Sequence, residues 1–204
     1  MREPVRIAVL VSGGGTNLQA LIDAGRAGQL HSGKITLVIS GKEGAYALNR
    51  AAAAGIPAAT VPRKSFDSQE AFENAISGLL REYRIELIVL AGFLSILSAD
   101  FTGRWEKRIL NVHPSLIPSF CGKDFYGLKV HEAALARGVK VTGATVHYVN
   151  EIPDGGEIIL QKAVTIREKD TPESLQQRVM RQAEWKILPK ATEQVCAQIL
   201  KKEK

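Results

Sequence analysis

The chain has 204 residues, 45% hydrophobic and 24% charged, which suits one globular domain and excludes a disordered or fibrous chain. That length buries enough apolar surface to need neither disulfides nor a structural metal. The net charge of +6 fits solubility or attraction of small anions, whereas no dense Lys/Arg run with interleaved aromatics points to nucleic acid.

The apolar run Val5–Val11 reads as a buried strand and breaks at Ser12-Gly13-Gly14-Gly15. A helix follows with Leu18, Leu21 and Ile22 on one face. Residues 35–40 form a second strand, 45–54 a helix closed by Gly55, and 59–61 a short strand. Asp67 is placed to cap the next helix, with Glu70 as its capping-box partner and Phe72, Ile76, Leu79 and Tyr83 behind it. Residues 86–92 are again a strongly apolar strand. This alternation of strand and helix predicts a doubly wound sheet that starts parallel.

The second half changes character. Residues 108–113 read as a strand that stops at Pro114, and 130–137 as a helix closed by Gly138. Residues 141–149 and 157–166 alternate with period two, which predicts an antiparallel addition at the sheet edge. Thr171-Pro172-Glu173 opens the last helix, which Pro189 should break or kink. The predicted class is α/β, a Rossmann-like, mostly parallel sheet with an antiparallel C-terminal addition, in one domain spanning 1–204.

Two cysteines, Cys121 and Cys196, without a Cys-x-x-Cys pair, fit a reducing compartment and give neither a zinc site nor a redox motif. Val5–Val11 is too short for a signal peptide, and no stretch approaches the roughly 20 apolar residues of a membrane span. The expectation is a cytoplasmic protein with no membrane partner and no metal. His31 and His131 have no partner at metal-ligand spacing, His147 reads as structural, and nothing marks Cys121 as an activated nucleophile.

Three motifs can carry chemistry. The glycine loop 12–17 lies between a strand and a helix, where free N–H groups favour an anion; the alternative is a tight turn at a sheet edge. It is neither the dinucleotide fingerprint, since Leu18 holds the third glycine position, nor a P-loop. Asn111 and His113 share one strand face and can donate together to a developing oxyanion, or they simply close the strand. Asp154, in Asp154-Gly155-Gly156, reads alone as a hairpin turn, yet a carboxylate brought to His113 would orient the ring.

Taken jointly and in order, Val9–Ile22 (VLVSGGGTNLQALI), Val89–Ser98 (VLAGFLSILS), Asn111–Pro118 (NVHPSLIP) and His147–Gln161 (HYVNEIPDGGEIILQ) closely resemble the folate-dependent glycinamide ribonucleotide formyltransferases of purine biosynthesis. The resemblance runs from Val5 to Pro189. It implies that Gly15, Thr16 and Asn17 hold the substrate phosphate and that Glu184 contacts it near the ribose. It implies that Leu94, Ser95, Ile96 and Leu97 line the pterin pocket, with the loop from Asn150 to Asp154 folding over it. Asn111, His113 and Asp154 match the catalytic trio, with a protonated His113 and 10-formyltetrahydrofolate as co-substrate. Asn111 and Asp154 then face the cofactor as well.

The pattern departs at Gln69, where many members carry a substrate-binding Arg for which Arg63 or Lys64 can substitute. It departs at Leu94-Ser95, where many carry Met-Arg, and at 120–127, which replaces a more common Pro-Gly loop. A methionyl-tRNA formyltransferase would add a C-terminal domain and a formyltetrahydrofolate hydrolase an N-terminal one. The remaining alternatives are a formyltransferase for another sugar amine and a non-catalytic nucleotide-binding module. The small-molecule partners leave a monomer or a homodimer equally open.

Overall fold

The computed structural model describes residues 3–202. Its frame is a seven-stranded sheet in the order β3-β2-β1-β4-β5-β6-β7. The strands are β1 (Val5–Val11), β2 (Gly33–Ser40), β3 (Ala58–Thr60), β4 (Leu87–Leu90), β5 (Ile109–His113), β6 (Val141–Tyr148) and β7 (Ile158–Thr165). The first five are parallel, and β6 and β7 add antiparallel, as the change from continuous apolar runs to alternation predicts.

The parallel strands are sandwiched by helices, so both faces of β1 are buried. Val5, Ile7, Val9 and Val11 join one core with Leu18, Leu21, Leu188 and Val195. Ala8 and Leu10 join the other with Phe72, Ile76 and Phe101. The first core belongs to α1 (Thr16–Arg26), α2 (Tyr46–Ala53), α6 (Pro172–Val179) and α7 (Trp185–Lys202). The second belongs to α3 (Gln69–Glu82) and α4 (Ala99–Arg104). Helix α5 (Leu128–Arg137) follows the loop after β5 and ends at Gly138, whose φ of 74° supplies the left-handed cap.

Local differences from the sequence expectations have identifiable causes. Ser68, not Asp67, caps α3: its side chain accepts from the Ala71 amide, and Glu70 falls within the first turn rather than at the box position. Helix α4 has too few apolar positions to announce itself, and it is held by the Ser98 cap, which accepts from the Phe101 amide. Pro189 does not end its helix. The irregularity lies upstream, as a widened π turn over Met180–Glu184, while α7 continues through the proline. Thr171 and Ser174 form the capping box that starts α6.

Candidate active site

The parallel strands converge at their C-terminal ends. There the loop after β1 turns through Gly15, whose φ is 70° and where a Cβ would stand 2.6 Å from that of Ala47. Only glycine fits that approach. Thr16 and Asn17 follow as the opening of α1, with no acidic residue in its first turn. Asn17 Nδ2 donates to Glu184 Oε2 at 2.7 Å, linking the first helix to the π turn near the far end of the chain. Gly13–Asn17, Gly92, Val112, Pro114, Gly127, His131, Gln176 and Glu184 enclose a cavity of about 290 Å3. Burial pushes the Glu184 carboxyl up to about 7, against the hydrogen bond from Asn17, which lowers it. Gly15, Thr16, Asn17 and Glu184 thus meet in one pocket. A larger cleft of about 780 Å3 between α1 and α7 holds Trp185 and Pro189 but no side chain of the polar cluster on β5.

That cluster centres on Asp154. Its carboxylate lies 3.3 Å from His113 Nδ1 and 3.4 Å from Asn111 Nδ2, and it accepts from the Gly122 amide at 2.9 Å. The hairpin loop that delivers it is tightly folded. Asp154 itself has φ 56°, a left-handed conformation that aspartate tolerates better than most residues. A Cβ on Gly156 would stand 1.7 Å from the Tyr148 carbonyl oxygen. The turn and the carboxylate site are therefore the same feature. Burial tends to raise the Asp154 pKa. Contact with the His147 ring, the charge of His113 and the Gly122 amide outweigh it and bring the carboxyl below its ordinary value.

His147 is the member that sequence reasoning missed. Antiparallel pairing of β5 with β6 sets it opposite Asn111, and on its other side the pairing of β6 with β7 shifts register between Val146 and His147. Its Nδ1 is 2.7 Å from the Tyr148 carbonyl, while Nε2 is 3.3 Å from Asn111 Nδ2 and 3.5 Å from Asp154 Oδ1. Alternation along β6 shows which face His147 shares. It does not show that β6 lies beside β5, which was the missing signal.

Opposing influences act on the charge of His113. Its Nδ1 faces the Asp154 carboxylate and its Nε2 the Phe120 carbonyl at 2.8 Å, two acceptors that the ring satisfies together only as a cation. Burial opposes that cation more strongly than Asp154 and Phe120 favour it, so the pKa lies below the ordinary histidine value. Burial thus works against the protonated ring, and the Asp154 carboxylate and the Phe120 carbonyl work for it.

The segment after β4 behaves in two ways. Leu94 and Ile96 are 69% and 76% exposed, whereas Leu97 is buried in the second core. The Leu94 amide donates to Ser12 Oγ at 3.1 Å, tying this segment to the glycine loop, and Ser95 lies between the two exposed side chains. Gln69 Nε2 donates to the Ile96 carbonyl and to Glu73, while Arg63 Nε donates to Gln69 Oε1 at 2.9 Å. Of the two candidates to replace the expected arginine, Arg63 is thus the one in contact with Gln69. Asn150 Oδ1 accepts from the Ile152 amide and shapes the loop ahead of Asp154. Burial and the Asp154 charge raise the Cys121 thiol, the opposite of an activated nucleophile. Among the described residues, no His/Cys/Asp/Glu group could hold a metal, and no helix is long and apolar enough to cross a membrane.

Residues 5–192 match the profile of the Formyl transferase family. The chain belongs to the formyl transferase family. A phosphoribosylglycinamide formyltransferase of Haemophilus influenzae is 44% identical over 184 residues, covering 90% of this chain and 84% of that protein. The human trifunctional purine biosynthetic protein adenosine-3 is 44% identical over 196 residues, 96% of this chain. This formyl transferase spans only 19% of that protein's length. A glycinamide ribonucleotide transformylase 1 from Symbiobacterium toebii superposes with a TM-score of 0.89 at 40% identity, covering 96% of this chain and 89% of that one.

Proposed function

We propose that this formyl transferase moves the formyl group of 10-formyltetrahydrofolate to the amine of glycinamide ribonucleotide, in the cytoplasm, with residues 1–204 acting as one domain. The observation that carries the reading is the junction of two sites. The Asp154 cluster includes Asn111 and His113 of β5, and the cavity ringed by Gly15, Asn17 and Glu184 reaches the same strand at Val112 and its end at Pro114. A phosphorylated sugar anchored at the α1 N-terminus can then extend its amine toward Asn111 and His113. The exposed Leu94 and Ile96, with Ile152 on the Asp154 loop, offer apolar surface for a pterin.

The neutral amine attacks the formyl carbon, and the carbonyl electron pair moves to oxygen. The Asn111 amide and the His113 ring donate to that oxyanion, each donor contributing about 3 kcal/mol. Collapse breaks the bond to the folate nitrogen. Asp154, ionised at neutral pH, holds a water that relays the amine proton to that leaving nitrogen. His113 gains no proton in this sequence: a ring N–H donates to the oxyanion, and burial works against its cation. The rest of the acceleration comes from holding both reactants in line.

The test is a formyl-transfer assay with glycinamide ribonucleotide that follows tetrahydrofolate release. Equal release of tetrahydrofolate and formylated ribonucleotide is expected. Transfer only to another sugar amine would keep the chemistry and reject the substrate, and no transfer to any amine would leave a binding module.

A further inference from the structure

His131 lies fully buried in α5, and neither of its ring nitrogens has a hydrogen-bond partner. Such an orphan is uncommon, because a buried polar group left unpaired costs about 1–3 kcal/mol. The residue stands in the wall of the 290 Å3 cavity, with Asn17, Gln176 and Glu184 among the other lining residues. Asn17 brings a second orphan to the same space: its Nδ2 is engaged by Glu184, but its buried Oδ1 has no partner. Two residues lining one cavity therefore carry three buried atoms without a partner, two imidazole nitrogens and an amide oxygen.

Their chemistry selects among ligands. A neutral imidazole offers one donor and one acceptor, and the Asn17 oxygen only accepts. A phosphate accepts only, and it could not satisfy an amide oxygen or an imidazole lone pair. A sugar hydroxyl donates and accepts, so it suits both groups. Burial, and secondarily the charge of His113, lower the His131 pKa to about 4, so the ring meets its ligand neutral.

We propose that His131 is a substrate-positioning residue that hydrogen-bonds a hydroxyl of the sugar, with Asn17 Oδ1 accepting from a second hydroxyl. The assignment rests on the reading of the cavity as the site of a phosphorylated sugar amine. It goes further by naming His131, in the wall of the same cavity as Glu184, as part of sugar recognition.

His131→Phe keeps the volume and removes both polar nitrogens. The expected result is a KM for glycinamide ribonucleotide raised about tenfold, with kcat and the KM for 10-formyltetrahydrofolate little changed. His131→Asn, which restores a donor and an acceptor, should recover part of the loss. With an analogue lacking both ribose hydroxyls, wild type and His131→Phe should show the same KM. An unchanged KM in His131→Phe, or a variant-to-wild-type ratio that persists on the dideoxy analogue, overturns the assignment. Thermal melts run in parallel; if His131→Phe does not fold, His131→Leu takes its place under the same criteria. A wild-type protein inactive on every sugar amine would instead remove the parent reading, a result distinct from wild-type activity with an unmoved KM.

Discussion

Asp154 shows how far one residue's role depends on its neighbours. As part of Asp-Gly-Gly it stands in the loop between β6 and β7, in a left-handed conformation of φ 56° that aspartate tolerates better than most residues. The same backbone delivers its carboxylate to Asn111, His113, His147 and the Gly122 amide. Asp154→Asn keeps the shape and loses the charge to which the proposed mechanism assigns the proton relay. Steady-state kinetics should show kcat reduced on the order of 10³-fold with the KM for the ribonucleotide nearly unchanged. Wild-type turnover in that variant would remove Asp154 from the mechanism. His147 and His131 were not legible at this scale. One looked like a strand residue and the other an unpaired helix histidine, because burial and facing partners are not written in sequence spacing.

At the scale of elements, the loop between β6 and β7 carries Asp154 to the site. Gly156 has no space for a Cβ against the Tyr148 backbone, so Gly156→Ala must displace the loop and Asp154 with it. Activity should fall about 100-fold, because a misplacement near 1 Å costs that much, while the far-ultraviolet circular dichroism of the sheet stays unchanged. A second tie binds β7 to α6. Arg178 pairs with Asp170 and donates to the Thr165 carbonyl, and this pairing holds the Asp170 carboxyl down at about 2 against an ordinary value of 3.8. A depressed carboxylate stabilises the fold above its unfolded pKa and loses that contribution as pH falls through the folded one. Arg178→Met should thus cost about 2 kcal/mol in urea unfolding at pH 7, and the difference from wild type should shrink between pH 4 and pH 2. A gap independent of pH would assign the loss to packing instead.

At the scale of the molecule, the Asn17–Glu184 bond joins the first helix to the last turn of the site, across most of the chain. Because burial raises Glu184 to about 7, its carboxyl stabilises the ligand-free fold below pH 4.5 and loses that contribution as pH rises through 7. Glu184→Gln keeps an oxygen for Asn17 and removes the charge. Its melting temperature should exceed that of wild type at pH 8 by several degrees and match it near pH 4.5, while the KM for the ribonucleotide rises. Equal melting at pH 8 would show that Glu184 is not ionised at a cost there. The parallel frame, the antiparallel addition and the glycine loop were legible in the sequence, because apolar period and turn residues act over a few neighbouring positions. It also carried Asn111 and His113, which share a face by strand geometry alone. That β6 lies against β5, that His147 and Asp154 therefore meet Asn111, and that His131 and Glu184 line one cavity beside them came from the folded chain. Those contacts depend on long-range pairing and on burial, which set charge states and leave polar atoms unpartnered in ways no local pattern encodes.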